Sequence, residues 1–159
     1  MHRSLLFALV VALSPAARAC PAADPLETAR VLHSRHYDIG RDDQGLGEIL
    51  SPALWQMLVK NWKCEDDGGG LCAIEADPWT DAQDGGMLTP PTFRLVASTA
   101  TTAKAEAAYR FGWKELADKA TDEKSFVLMV KDAKSGCWRV DDLIGARGNS
   151  LAKTLRDYR

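Results

Sequence analysis

The sequence predicts an α+β fold, in which N-terminal helices pack on a curved antiparallel sheet of about four strands and a short C-terminal helix follows. Two observations predict it. Between residues 24 and 64, proline-capped segments carry apolar residues at helical spacing, whereas from residue 92 onward apolar and polar residues alternate. Because the helices precede the strands instead of alternating with them, helices laid on the concave face of an antiparallel sheet are favoured.

The first predicted helix begins at Asp24-Pro25, a capping residue followed by proline at the first helical position. It continues to about Ile39, where Gly40 can end it. A polar loop, GRDDQGLG, follows. The same signature, serine and then proline at residues 51 and 52, opens a second predicted helix, ALWQMLVKNWKC.

Four strands are predicted. Two-residue alternation indicates TFRLVAST, KAEAAYRFGW and CWRVDDLIG, and SFVLMVK is an almost fully apolar strand, as expected at the centre of a sheet. After the last strand, Asn149 or Ser150 can cap a short helix, LAKTLRDY. The second strand has the clearest pattern, and its predicted inward face consists of Ala105, Ala107, Tyr109, Phe111 and Trp113.

Residues 1–19 are predicted to be a secretory signal peptide. A basic start precedes the uncharged apolar run Leu5–Leu13, and Ala17-Arg18-Ala19 has small residues where a signal peptidase cleaves. The run is too short for a permanent membrane span. We therefore expect one mature domain, residues 20–159, in a bacterial periplasm. A lipid anchor at Cys20 is less favoured, because the residues before it do not match a lipoprotein signal.

Charge and composition disfavour several classes of partner. Cleavage after residue 19 removes two arginines and no acid, so the net charge moves from −2 to −4. An acidic domain is a poor match for nucleic acid or for an anionic membrane. The chain has no Gly-x-Ser-x-Gly sequence that would indicate a nucleophile, and it has no phosphate loop, so phosphate or nucleotide chemistry is disfavoured and we expect no cofactor.

The four cysteines all remain in the predicted mature chain, and an even count in an oxidising compartment predicts disulfides. Four cysteines allow three pairings. Cys64 and Cys72 flank the flexible sequence EDDGGGL, so we pair them, which leaves Cys20 with Cys137. A zinc site needs tighter, paired spacing than these positions offer.

The segment AIEADPWTDAQDGG, residues 73–86, gathers acids around one tryptophan. Asp77, Asp81 and Asp84 lack the alternating oxygens and the late glutamate of an EF-hand loop, so no metal site is favoured. The favoured interpretation is a rigid turn. In it Asp77 caps nearby backbone amides, Trp79 fills an apolar gap, and Asp81 or Asp84 pairs with an arginine.

Two histidines, His33 and His36, share one face of the first predicted helix. A metal site or an acid/base pair requires that placement. Two histidines on a half-exposed helix more often form a polar rim, so we expect them to line a cleft without chemistry.

Alternation places Asp142 on the apolar face of the last strand, with Trp138, Val140 and Ile144. A desolvated acid at that position is a candidate general base or hydrogen-bond donor, and Tyr109 is its candidate partner. A β-bulge or the end of the strand would instead turn Asp142 away and give it a structural role, which we favour.

Three segments, DPWTDAQD, YRFGW and SGCWRVDDLIG, resemble the bacterial domain-of-unknown-function family 3828. The resemblance covers most of the mature chain, and DPWTDAQD is its most specific part. The ending of the chain also resembles the nuclear-transport-factor-2-like superfamily of cone-shaped, cystatin-like domains. These resemblances imply a cone-shaped α+β fold and an envelope location, and they bring no activity.

Two functions are open. The favoured one is a non-enzymatic periplasmic binding module for a protein partner or a small ligand, such as an inhibitor or immunity protein against an envelope-acting toxin or lytic enzyme. The alternative is a small isomerase or lyase that uses Asp142 and Tyr109. The predicted ligand or partner surface consists of His33, His36, Asp77, Trp79, Asp81, Gln83 and Asp84.

Overall fold

A computed structural model describes residues 19–35, 37, 39 and 45–158. The predicted signal peptide therefore lies outside the described residues except for its last residue, and His36 lies outside them as well. The elements are α1 (Pro25–Arg35), α2 (Leu46–Ile49), α3 (Pro52–Cys64), β1 (Gly86–Met87), β2 (Thr92–Ser98), β3 (Thr102–Gly112), β4 (Thr121–Lys131), β5 (Trp138–Ile144) and α4 (Leu151–Asp157).

The predicted α+β fold is confirmed: helices at the N-terminal side pack on a strongly curled antiparallel sheet, and a short helix ends the chain. In the sheet, β3 pairs with β4 and β4 pairs with β5. Both β1 and β2 pair with the other edge of β3, at Phe111–Gly112 and at residues 103–108 respectively. The chain between them contains Pro90 and Pro91, which interrupt what would otherwise be one edge strand.

The inner face of the sheet is filled by helices. α1 contacts β2, β3 and β5, while α3 contacts β5 and α4. Small side chains on β3 let α1 approach closely, since Ala105 and Ala107 are fully buried. The helices contribute Ala29, Leu32, Leu54 and Leu58 to the core, and the sheet contributes Val127, Met129, Val140 and Leu143, all of them at most 2% exposed.

The outer face of the sheet carries one buried acid. Glu106 is 5% exposed and receives two hydrogen bonds from the Arg94 guanidinium, each 2.8 Å long, while the Lys124 ammonium lies 3.6 Å away. The Arg94 hydrogen bond holds the pKa of Glu106 below its usual value. This pairing neutralises the carboxylate on the strand next to the edge and joins β2 to β3.

The predicted caps of α1, α3 and α4 are all present, and at α4 the Lys153 amide donates to Ser150 Oγ (3.0 Å). The Glu27 amide donates to Asp24 Oδ1 (2.8 Å), and the Leu54 amide donates to Ser51 Oγ (3.2 Å). The prediction that α1 continues to Ile39 is wrong, since the helix ends at Arg35. Ile39 is instead buried where its carbonyl accepts a hydrogen bond from the Trp62 indole. The sequence also did not predict α2 or β1.

The predicted inward face of β3 is confirmed only in part. Ala105, Ala107 and Tyr109 are buried, Phe111 is half-buried, and Trp113 is 51% exposed. The strand ends at Gly112, so the alternation that would turn Trp113 inward does not reach it. A turn of 3₁₀ helix, Lys114–Lys119, follows on the surface.

The disulfide pairing is confirmed: Cys20 is bonded to Cys137 and Cys64 to Cys72. The Sγ atom of Cys20, which a lipid anchor would modify as a thioether, is therefore already bonded to Cys137. Two disulfides indicate an oxidising, extracytoplasmic environment. Among the described residues, no helix has the length and apolar character that crossing a bilayer requires.

Candidate recognition surface

The 73–86 segment forms a closed loop, as predicted, and its first anchor is Asp77. The Asp77 amide donates to the Ala82 carbonyl (3.0 Å), which closes the loop. Asp77 Oδ1 accepts from the amides of Trp79 (2.8 Å) and Thr80 (2.9 Å). One carboxylate thus satisfies the amides of the turn that follows Pro78, as expected of an aspartate before a proline turn.

The second anchor is Trp79, which is completely buried and fills an apolar gap as predicted. Its ring lies at the centre of an aromatic cluster: it meets His33 edge-on at 5.1 Å and stacks on Tyr37 at 6.2 Å. Its carbonyl accepts from the Tyr109 hydroxyl (2.8 Å). Because it has no exposed surface, Trp79 supports the predicted partner surface from beneath and does not lie on it.

The third anchor is Asp81, whose backbone adopts a left-handed conformation with φ 55°. Its Oδ2 accepts from the amides of Arg147 (2.8 Å) and Asn149 (3.3 Å) in the connection between β5 and α4. Gly145 packs directly against this carboxylate, leaving no room for a β-carbon. The predicted ion pair with an arginine is not present among the described residues: Asp81 contacts Arg147 through the backbone amide of that residue.

Both ends of the loop are also held. At its start, Cys72 is bonded to Cys64, and the Ala73 amide donates to Asn61 Oδ1 on α3 (2.7 Å). At its end, Gly86 pairs with Gly112 of β3. The loop is consequently fixed to the helical layer at one end and to the sheet at the other.

The outward side chains of the loop are free. Glu75, Gln83 and Asp84 are exposed, and none of them has an ion pair or a side-chain hydrogen bond within the described part of the chain. Beside them lies Trp113, 51% exposed, with its ring 6.4 Å from that of Phe111. We call Glu75, Gln83, Asp84 and Trp113 together the loop rim.

Two clefts flank the loop. One, of about 490 Å³, lies between the loop and the end of β3, and Arg147 also borders it. The other, of about 740 Å³, lies on the side of α1 and α3, where Tyr37, Glu65 and Leu71 border it. Glu75 and Gln83 line both clefts, so the loop forms their common wall.

His33 lies in the aromatic cluster, where its ring contacts Tyr37, Trp79 and Phe93. Burial lowers its pKa, against a smaller opposing effect of Asp77. Its Nε2 atom is buried and has no hydrogen-bond partner among the described residues. The environment of His33 is therefore apolar and aromatic, and the predicted pairing with His36 involves a residue outside the described part of the chain.

Asp142 and Tyr109 do not face each other. A β-bulge at Asp141, between the pairs Met129–Val140 and Leu128–Asp142, shifts the alternation of β5. Val140 and Leu143 are consequently the buried residues, and the predicted inward placement of Asp142 is wrong.

Each of these two groups has other partners. The carboxylate of Asp142 accepts from Ser150 Oγ (2.6 Å) and from the amides of Leu143 (2.8 Å) and Ala152 (2.9 Å), so it fixes the start of α4. The Tyr109 hydroxyl donates to the Trp79 carbonyl, and burial raises its pKa. The hydrogen bonds of Asp142 to the start of α4 give it the structural role that the sequence favours.

Metal binding has no support in the described part of the chain, which contains no group of three or more histidine, cysteine or acidic side chains arranged to hold an ion. Asp77 and Asp81 point their oxygens at backbone amides of different segments. The exposure of Trp113 was not predicted, since alternation assigned this residue to the core. The polar 3₁₀ turn directly after it, KELADK, was the available sign that this position is at the surface.

Comparison of the chain with protein-family models, with curated proteins and with solved structures gives no match.

Proposed function

We propose that this chain is a non-enzymatic, extracytoplasmic module that binds a protein partner, and that the loop rim is its recognition surface. One observation carries the proposal. The inward side chains of the 73–86 loop, Asp77, Trp79 and Asp81, are all engaged in holding it, whereas its outward polar side chains are exposed and unbonded. An exposed tryptophan with unbonded polar side chains around it, on a well-supported loop, has the composition of an interface hot spot and its polar rim.

Rigidity supports the same proposal. The loop is held by a disulfide at its start, by two carboxylates within it and by sheet pairing at its end. A loop that is already ordered before binding loses less conformational entropy when a partner docks. Loops positioned by a rigid scaffold are also where binding residues concentrate.

The alternative function, an isomerase or lyase with an acid in the cone, has less support. Helices and Trp79 occupy the inner face of the sheet, and the candidate acid Asp142 makes three hydrogen bonds that fix α4. A small ligand in the cone would have to displace α1 or Trp79. The clefts beside the loop open on the surface instead, where a protein can reach them.

We further propose that the chain belongs to the family and superfamily that its sequence resembles. The curled antiparallel sheet with helices on its inner face supports that assignment at the level of fold. A narrower hypothesis is that the partner is an envelope-acting toxin or lytic enzyme, which this chain neutralises. Identification of the captured protein decides it.

Affinity capture with matched variants tests the proposal. The mature chain, immobilised, is exposed to an envelope extract of the source organism, and retained proteins are identified by mass spectrometry. Trp113→Ala should abolish retention of a defined protein, because a central tryptophan contributes strongly to interface affinity. Leu95→Ala is the control, since Leu95 is exposed to a similar extent (41%) on β2 and outside both clefts. Retention that survives Trp113→Ala, or no retained protein at all, would contradict the proposal.

A further inference from the structure

We infer that the partner of the loop rim presents a segment rich in arginine or lysine, one of whose cationic side chains binds over Trp113 in the cleft that Glu75 and Asp84 line. This inference rests on the proposed function and specifies the chemistry of the partner. It follows from the charge and shape of the two clefts.

The smaller cleft has the chemistry of a cation site built around an aromatic ring. Of the charged residues that the structure describes, three acids, Glu75, Asp81 and Asp84, and the cation Arg147 line it. Asp81 is engaged by backbone amides, which leaves Glu75 and Asp84 to attract an incoming charge. Trp113 is 51% exposed beside them, and a tryptophan face is the strongest cation–π acceptor among the side chains.

The larger cleft, on the other side of the loop, is also lined by acidic side chains. Glu65, Glu75 and Asp77 line it, and the described residues of its lining include no lysine or arginine. Tyr37 and Leu71 line it as well, and Leu71 is 71% exposed. The two clefts share the wall formed by Glu75, Ala76, Ala82 and Gln83, so one ligand lying across the loop can contact both.

A polypeptide segment fits this surface better than a small cation. The combined clefts are far larger than one cationic side chain, and they offer apolar and aromatic contacts as well as carboxylates. A segment carrying several cationic side chains would use both clefts and both kinds of contact. The net charge of −4 expected for the mature chain adds a long-range attraction for such a partner.

Titration with defined peptides tests the inference. The probes are a fluorescein-labelled peptide of alternating glycine and arginine, a length-matched peptide of alternating glycine and glutamate, and spermidine as a small polycation. At low salt, the arginine peptide should bind and should shift the Trp113 indole N–H resonance, whereas the glutamate peptide should not. Added salt should weaken the binding, because exposed charges are screened.

Matched variants locate the binding. Glu75→Gln/Asp84→Asn and Trp113→Ala should each weaken it by about tenfold, as expected for loss of a charge pair or a cation–π contact. The control is Glu27→Gln/Asp157→Asn, which removes the same charge at exposed acids outside the clefts, each in a surface ion pair of little energetic weight. Equal affinity in all four proteins, or spermidine binding as tightly as the arginine peptide, overturns the inference.

The result separates the inference from the proposed function. A captured partner that depends on Trp113, but whose binding is unaffected by Glu75→Gln/Asp84→Asn and by salt, leaves the recognition surface intact and refutes a cationic partner. Loss of every specific capture refutes both.

Discussion

At the scale of single residues, the acids of the 73–86 loop divide into two that hold the backbone and two that are exposed to solvent. Asp77 and Asp81 direct their oxygens at backbone amides, and Glu75 and Asp84 direct theirs at solvent. The sequence alone cannot separate the groups, because all four have the same chemistry and similar spacing. Only the positions of the amides in the folded chain distinguish them.

Replacing Asp77 should destabilise the fold. Asp77→Ala removes the acceptor for the Trp79 and Thr80 amides, so we expect a loss of about 1 kcal/mol in the free energy of unfolding. Urea unfolding followed by circular dichroism measures it. Asp84→Ala is the control and should leave stability unchanged. An unchanged unfolding curve for Asp77→Ala would count against the anchoring role of this carboxylate.

The pH dependence of stability should include a contribution from His33. Because burial lowers its pKa in the folded state, the unfolded chain binds a proton more readily. The contribution of neutral His33 to stability is therefore full above the ordinary histidine pKa of 6.5 and is lost as the pH falls through the lowered value. Among the described residues, the Asp77 carboxylate acts on the His33 ring with the smaller, opposing effect, and the Tyr109 hydroxyl donates to the carbonyl of Trp79 in the same cluster.

A non-titrating variant isolates that contribution. His33→Phe keeps an aromatic ring against Tyr37, Trp79 and Phe93 and removes the titration. Between pH 7.5 and pH 5 the wild type should lose more unfolding free energy than the variant. Parallel pH profiles for the two proteins would show that His33 is not responsible.

At the scale of elements, the sequence predicted the existence of the main helices and strands well because their signals are local. The Asp24 and Ser51 caps and the alternation in β3 each depend on neighbouring residues, and the structure contains all three. The features that the sequence did not predict depend on contacts between residues far apart in the chain. α1 ends early where Ile39 meets Trp62, and the bulge at Asp141 lets Asp142 reach the start of α4.

The candidate site, too, was predictable only where its signals are local. The turn at Asp77 and the filling role of Trp79 follow from local chemistry, and both were predicted correctly. The placement of Trp113 at the surface depends on where β3 ends, and that end is set by its pairing with β1. A reader of the sequence therefore finds the loop but not its aromatic neighbour.

The contact between the loop and the β5–α4 connection gives an element-scale prediction. Gly145→Ala places a methyl group against the Asp81 carboxylate, and we expect a loss of about 2 kcal/mol in unfolding free energy from that overlap. Gly86→Ala is the matched control, because a β-carbon there meets nothing within 4 Å. Denaturant titration compares the two. Equal stability would show that the connection shifts to admit the methyl group.

At the scale of the whole molecule, the two disulfides constrain the chain to different extents. Cys64–Cys72 closes a segment with a sequence separation of 8, and Cys20–Cys137 closes one of 117. Loop-entropy scaling gives contributions of about 2.5 and about 5 kcal/mol respectively. The long-range bridge therefore supports the global fold, and the short one orders the start of the 73–86 loop.

Pairwise removal tests this division. Cys20→Ala/Cys137→Ala should lower the unfolding free energy more than Cys64→Ala/Cys72→Ala does, as measured by urea unfolding under non-reducing conditions. The Cys64→Ala/Cys72→Ala variant should instead lose more affinity for the captured partner, because it frees the loop at Cys72. A larger stability loss on removing the short bridge would contradict the account.

The central claim is that a protein partner docks on the loop rim, and site-specific photo-crosslinking tests it most directly. A photoreactive amino acid replaces Gln83, which is exposed and unbonded within the described chain, or Lys134, an exposed residue in the turn before β5. After irradiation in envelope extract, position 83 should give one dominant protein adduct that Trp113→Ala abolishes, and position 134 should give none. Equal adducts at both positions, or none at position 83, would contradict the claim.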